Sequence, residues 1–358
     1  MSKKYQLCQW FSGCTKAALF CSSAFLVLAA PMMIDDSGSK LLAQTPISQD
    51  LEAASFYQQG VTRYNRQDLA GAESAFRAAL QRDSKLGMAR NYLGNIFLQQ
   101  NRLDAAVQEY AEAVRVNPSS GEAYYNLGLA LQRQGQKETA ITAYRRSLVI
   151  NPTAAVYYNL GLALYEQGQL QEAIAVYQQA INLDSNNANA YFNLAIALQD
   201  QGQIQEAIAN YRQVLQRDPK NDTAYNNIGS LMAIQGQASE AISAYQQAID
   251  QNPKNASAYY NLGVTLYKQG DIKTASDALN RARSEYTQQG NIEQVQKAEQ
   301  LIQQIAQKAR QQTQPQTSNS AQTPNQPEVP TETLVDSSSV PISIEQQPYT
   351  IPAIQANP

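Results

Sequence analysis

Five asparagines, Asn126, Asn159, Asn193, Asn227 and Asn261, recur at intervals of 33 or 34 residues. A carboxamide carries donors and an acceptor, so a row of them on one surface can hydrogen-bond the backbone of an extended chain without reading its side chains. The same amides can instead bond within the helix pairs that carry them, and the sequence leaves both uses open. Aromatic residues flank the row. Tyr57, Tyr125, Tyr158, Phe192 and Tyr260 stand one residue before the asparagine position, and Tyr64, Tyr165 and Tyr267 stand six after it. A tyrosine joins apolar contact area to a polar tip, which suits a recognition groove, although packing against a neighbouring unit claims part of the same set. One residue further on, Arg133 and Lys268 alternate with Glu166 and Asp200, so no field of a single sign results. These groups bind; they do not react.

The inventory excludes most catalysis. With no histidine in 358 residues, the chain cannot build a Ser-His-Asp triad, a Cys-His nucleophile pair or a His-ligated zinc. All three cysteines, Cys8, Cys14 and Cys21, lie near the start, so the body has no disulfide, redox pair or thiolate metal site. No Gly-Lys-Ser/Thr phosphate loop occurs either. No metal, no cofactor and no catalytic residue is expected. From Gln44 onward, 23 Lys and Arg stand interspersed with 28 Asp and Glu, a surface suited to solubility and not to a nucleic-acid backbone.

The elements that carry these residues follow from a 34-residue self-similarity, with units starting at Ala53, Gly87, Gly121, Ala154, Ala188, Asp222 and Ala256. The eighth position is Gly60, Gly94, Gly128, Gly161, Gly229 or Gly263, with Ala195 the exception, so two helices can approach closely there. The twentieth is always alanine, from Ala72 to Ala275, and the twenty-fourth is bulky, from Phe76 and Tyr110 to Leu279. Between them Gly135, Gly168, Gly202, Gly236 and Gly270 mark a turn that ends one helix before the next. Pro118, Pro152, Pro219 and Pro253 stand at position 32, where a helix has stopped, since proline lacks the amide a helix interior needs. Within the first helix, positions 4, 7, 8 and 11 form an apolar packing stripe, and positions 2, 6, 9 and 13 point nearly opposite.

This pattern resembles the tetratricopeptide repeat (TPR) over residues 53 to about 289. The resemblance implies an all-α fold, a right-handed superhelical solenoid of antiparallel helix pairs, in which the second stripe lines a concave groove. The asparagine row is similar to the asparagine ladder in the superhelix of O-linked N-acetylglucosamine transferases. The candidate groove residues are therefore Asn126, Asn159, Asn193, Asn227, Asn261, Tyr125, Tyr158, Tyr165, Tyr260, Tyr267, Arg133 and Lys268. Tyr57 and Val61 occupy the first-repeat positions at which some TPR domains begin a clamp for a C-terminal carboxylate, which argues against that use.

The domain plan has units at 53–86, 87–120, 121–153, 154–187, 188–221, 222–255 and 256–289, preceded by a linker over 44–52. A capping helix is expected over 290–312, where Val295, Ala298, Leu301, Ile302 and Ile305 recur at helical spacing. Residues 313–358, rich in Pro, Gln, Ser and Thr, read as a disordered tail with an r.m.s. reach of about 35 to 40 Å. Its Pro-Xaa-Xaa-Pro stretches serve as a tether or as ligands for another domain. Lys3, Lys4 and Lys16 before the apolar run Ala17–Ala30 read as an export signal within residues 1–43, cleaved after Ala43 or kept as an anchor, with a buried N-terminal helix as the bland alternative. The body is then expected across a membrane, in a periplasm-like, lumenal or extracellular space, touching lipid only through that segment. The expected role is a non-enzymatic scaffold or assembly factor that holds extended peptide segments of protein partners. The alternative is an architectural protein of the membrane or envelope that self-associates.

Overall fold

The structure is a computed structural model and describes residues 48–313; the export segment and the proline-rich tail lie outside the described residues. Fifteen helices run in sequence among these residues. The first helices of successive repeats are α1 (Leu51–Asn65), α3 (Gly87–Gln99), α5 (Gly121–Arg133), α7 (Ala154–Glu166), α9 (Ala188–Asp200), α11 (Asp222–Ile234) and α13 (Ala256–Gln269). Their partners are α2 (Leu69–Arg82), α4 (Leu103–Val116), α6 (Lys137–Ile150), α8 (Leu170–Leu183), α10 (Ile204–Arg217), α12 (Ala238–Gln251) and α14 (Ile272–Gln288), followed by α15 (Ile292–Thr313). Each helix packs on the next in the chain, and successive first helices also touch one another. The result is a solenoid in which each repeat leans on its neighbours.

Local chemistry sets the helix limits. Ser120, Thr153, Asn187, Asn221 and Asn255 cap α5, α7, α9, α11 and α13, each side chain accepting the amide three residues on. Such a cap satisfies an otherwise orphaned donor and is worth about 1 kcal/mol. Asp50 does the same for α1, so helix begins at Leu51, inside the stretch expected as linker. The turns between paired helices need a residue in the left-handed region: Gly270 has φ 88°, and where glycine is missing Gln67 and Asn101 are forced to 62° and 57°. In the seventh repeat α14 runs to 17 residues where α12 has 14.

The two signature positions meet directly. A methyl group added to Gly94, Gly128 or Gly161 would lie 2.5 Å from the ring of Tyr110, Tyr144 or Tyr177. Glycine at position 8 is thus the seat of the bulky residue at position 24, and those rings are fully buried. Burial of each contributes about 1.5 to 3 kcal/mol. The alanines at position 20 are equally buried, and a methyl group on Gly229 or Gly263 would lie 3.1 Å from the carbonyl oxygen of Ala241 or Ala275 across the pair. At the C-terminal end Ala298, Leu301 and Ile305 of α15 are buried, and Val295 and Ile302 pack beside them, so α15 covers the face of α14 that no eighth repeat protects.

Candidate functional site

The first helices lie against one another along one side of the stack, α3 on α5, α5 on α7, α7 on α9 and α11 on α13. Positions 5 and 6 lie at mid-helix, where one first helix passes the next, and the asparagines of position 6 are sealed there. Asn126, Asn159, Asn193, Asn227 and Asn261 are 0 to 6% exposed. Their amides point backward along the stack. Asn126 donates to Asn91 Oδ1 at 3.0 Å, Asn159 to the Tyr125 hydroxyl at 3.1 Å, Asn193 to the Tyr158 hydroxyl at 3.0 Å, and Asn261 to Asn226 Oδ1 at 3.0 Å. Position 6 of one repeat therefore bonds position 5 of the repeat before it. The single departure has a cause: Phe192 offers no acceptor, and Asn227 turns instead to the Tyr211 hydroxyl at 3.2 Å.

The expectation that these five amides face a guest chain is corrected. They hold the repeats to each other, because a carboxamide buried between helices must find partners there or cost about 1 to 3 kcal/mol. Tyr125 and Tyr260 are also buried, Tyr125 as the acceptor for Asn159. Both belong to the seam and not to an open wall.

Nearer the helix ends the same side opens. Arg133, Glu166, Asp200, Ile234 and Lys268, all at position 13, are exposed, and Tyr165 and Tyr267 at position 12 are half-buried, as is Tyr158. Tyr165 donates to Asp200 Oδ2 at 2.6 Å across to the next repeat, and Lys137 pairs with Glu166 at 3.2 Å. At the other end of the helices stand Met88 and Glu122, both at position 2 and both exposed. This side is thus two open rims flanking a closed seam. Sequence reasoning placed position 2 on the correct stripe but singled out neither Met88 nor Glu122, because no residue type repeats there.

Profiles described as TPR repeat match residues 94–135, 161–202 and 229–270, and profiles described as tetratricopeptide repeat match 121–153, 188–221 and 257–288. Together they cover about half of the chain; 121–153, 188–221 and 257–288 each span one helix pair, whereas 94–135, 161–202 and 229–270 each start within a first helix and run through the first helix of the next repeat. The chain belongs to the tetratricopeptide-repeat proteins. Among solved structures, the C-terminal part of a TPR repeat-containing protein from Cytophaga hutchinsonii superposes with a TM-score of 0.57 at 16% identity, covering 64% of this chain and 94% of that one. This likeness shows the shared fold. Among curated proteins, a chloroplastic tetratricopeptide repeat domain-containing protein of Arabidopsis thaliana is 25% identical over 125 residues, 34% of this chain and 42% of that protein. The UDP-N-acetylglucosamine–peptide N-acetylglucosaminyltransferase of Giardia intestinalis is 29% identical over 97 residues, 27% of this chain and 6% of that enzyme. The TPR chain spans less than half the length of these curated relatives.

The core tyrosines of the TPR stack are shifted by burial. Burial pushes the hydroxyl of Tyr245 up to about 12 and those of Tyr144 and Tyr177 well above their ordinary value, so they stay protonated at neutral pH. Burial raises Tyr165 as well, reinforced by its bond to the Asp200 carboxylate. Among the described residues no group of three or more acidic or thiol side chains is placed to hold a metal ion, and no helix is long and apolar enough to cross a membrane.

Proposed function

We propose that this protein is a scaffold that holds an extended segment of a protein partner along the inner side of its TPR stack, with the open rims, not the asparagine row, making the contacts. The TPR fold itself points to protein–protein interaction, and one observation carries the finer reading: seven consecutive first helices expose position 13 along one side while their seam is locked. Arg133, Tyr165, Tyr267 and Lys268, with the half-buried Tyr158 between the rims, offer ion-pairing, hydrogen-bonding and aromatic contact in a row. Rigidity of the seam lowers the entropy lost on binding, since the wall does not have to be ordered by its guest.

The apolar run at the N-terminus supports placing this scaffold across a membrane, tethered or released; protease confined to the cytoplasmic side of sealed membranes should then leave the body intact until detergent opens them. A photo-crosslinking amino acid at positions 133, 166, 200 and 268 should trap the partner, and one at the outer positions 179 and 247 should not. Adducts arising mainly from the outer positions would sink the groove reading. Light scattering that shows concentration-dependent growth, with no partner captured, would favour the architectural alternative.

A further inference from the structure

A cavity of about 130 Å³ opens at one rim where the first three repeats meet, lined by Tyr57, Met88, Asn91, Tyr92, Asn117 and Glu122 among others. That volume corresponds to several water molecules, enough for one long side chain and too small for a folded element. Its one charge is the Glu122 carboxylate. Asn91 donates to Glu122 Oε1 at 2.8 Å and accepts from Asn126 at 3.0 Å, so the first polar rung of the seam holds this carboxylate in place. Among the described residues no Lys or Arg lies within ion-pair distance of it, although ten such pairs form elsewhere in the stack.

The surroundings register this unbalanced charge: after burial, the Glu122 carboxylate contributes to raising the hydroxyls of Tyr57, Tyr92 and Tyr110. Beside it the rings of Tyr57 and Tyr92 stand edge to face, centroids 6.0 Å apart, and Met88 presents a half-exposed thioether. A carboxylate fixed at one end of a small cavity, with aromatic faces and a flexible apolar chain along its side, matches a lysine or arginine: charge for the head, apolar contact for the stem.

Resting on the groove reading above, we propose that this cavity anchors a basic side chain of the extended partner segment, with Glu122 as the counter-ion. Selection of a displayed library of random nonapeptides on the full-length protein should enrich sequences with Lys or Arg at one fixed position. N-acetylated synthetic copies, which lack a free α-amine, should bind equally well. Glu122→Gln should weaken them roughly fivefold, the size of a half-exposed ion pair with its hydrogen bond, and should reduce the salt dependence of binding. Glu240→Gln, at an exposed acid on α12, should change nothing. Glu122→Lys should turn the selected preference from basic to acidic, with the far-UV circular dichroism of each variant confirming the fold. Peptides that bind with no basic preference, or that ignore Glu122→Gln, overturn this assignment and leave the groove standing. Loss of binding on acetylation assigns the pocket to an α-amine and overturns it too. Failure to enrich any peptide removes the groove reading and this inference together.

Discussion

Asn193 and Asp200 stand on one helix, seven residues apart, facing within about 20° of the same direction. Asn193 is sealed and bonded to Tyr158 of the repeat before it; Asp200 is exposed and accepts a bond from Tyr165 at the rim. The difference between them is axial. Successive first helices touch at their middles, so a residue there meets another helix, whereas a residue two turns on meets solvent. Direction around a helix decides which side a residue serves, and height along it decides whether that side is available.

The severest way to break this comparison is to charge the sealed interior. Unfolded tyrosine ionises near 10, and burial holds Tyr245 up to about 12, with Tyr144 and Tyr177 also raised. Below pH 10 both states keep the proton and stability is intact. Between pH 10 and 12 the unfolded chain releases it and the folded chain does not, so each such tyrosine removes about 1.4 kcal/mol of stability per pH unit. Helix content should collapse cooperatively in that window, with tyrosinate absorbance rising together with the loss. Reversible ionisation of all 21 tyrosines while the helices persist would mean that the rings are not sealed.

The next test sets seam against rim. Replacing Asn159, Asn193 and Asn227 together by alanine removes three inter-helix donors and should cost about 3 kcal/mol in urea unfolding. Replacing Arg133, Asp200 and Lys268 together should change stability by at most about 0.5 kcal/mol per site, yet abolish partner capture. Equal stability losses from the two sets would erase the distinction.

A smaller effect sharpens the seam itself. Phe192→Tyr supplies the acceptor that the other position-5 residues opposite an asparagine provide, and should raise stability by about 1 kcal/mol. Asn227→Ala should then cost more in that background than in the parent, which a double-mutant cycle reads directly. Smallest is the change just beyond the rim: Gln67 holds a φ of 62° that glycine adopts freely, so Gln67→Gly should raise the urea midpoint by the equivalent of about 1 kcal/mol or less.

Much of this was legible from residue types. The glycine of position 8, the alanine of position 20, the bulky residue of position 24 and the proline of position 32 each have one physical use, and together they specify helix pairs that stack. The stripe of α15 identified its capping role in the same way. The asparagine row was legible as a row, but residue type left open whether it faced a guest chain or bonded within the stack. Its amides repeat because every repeat has the same neighbour to bond, and a ligand-binding ladder would repeat with the same period. Glu122 and Met88 escaped because their value lies in what stands beside them: Asn91 of the second repeat and Tyr57 of the first gather with them at one cavity.

The sequence by itself determined the helices, their pairing, the repeat that stacks them and the chemistry that the body lacks, because each follows from local preference and from spacing along one chain. Tertiary structure alone decided which inward-facing residues remain reachable. That depends on where neighbouring helices come into contact along their lengths, and no periodicity within a single helix carries that information.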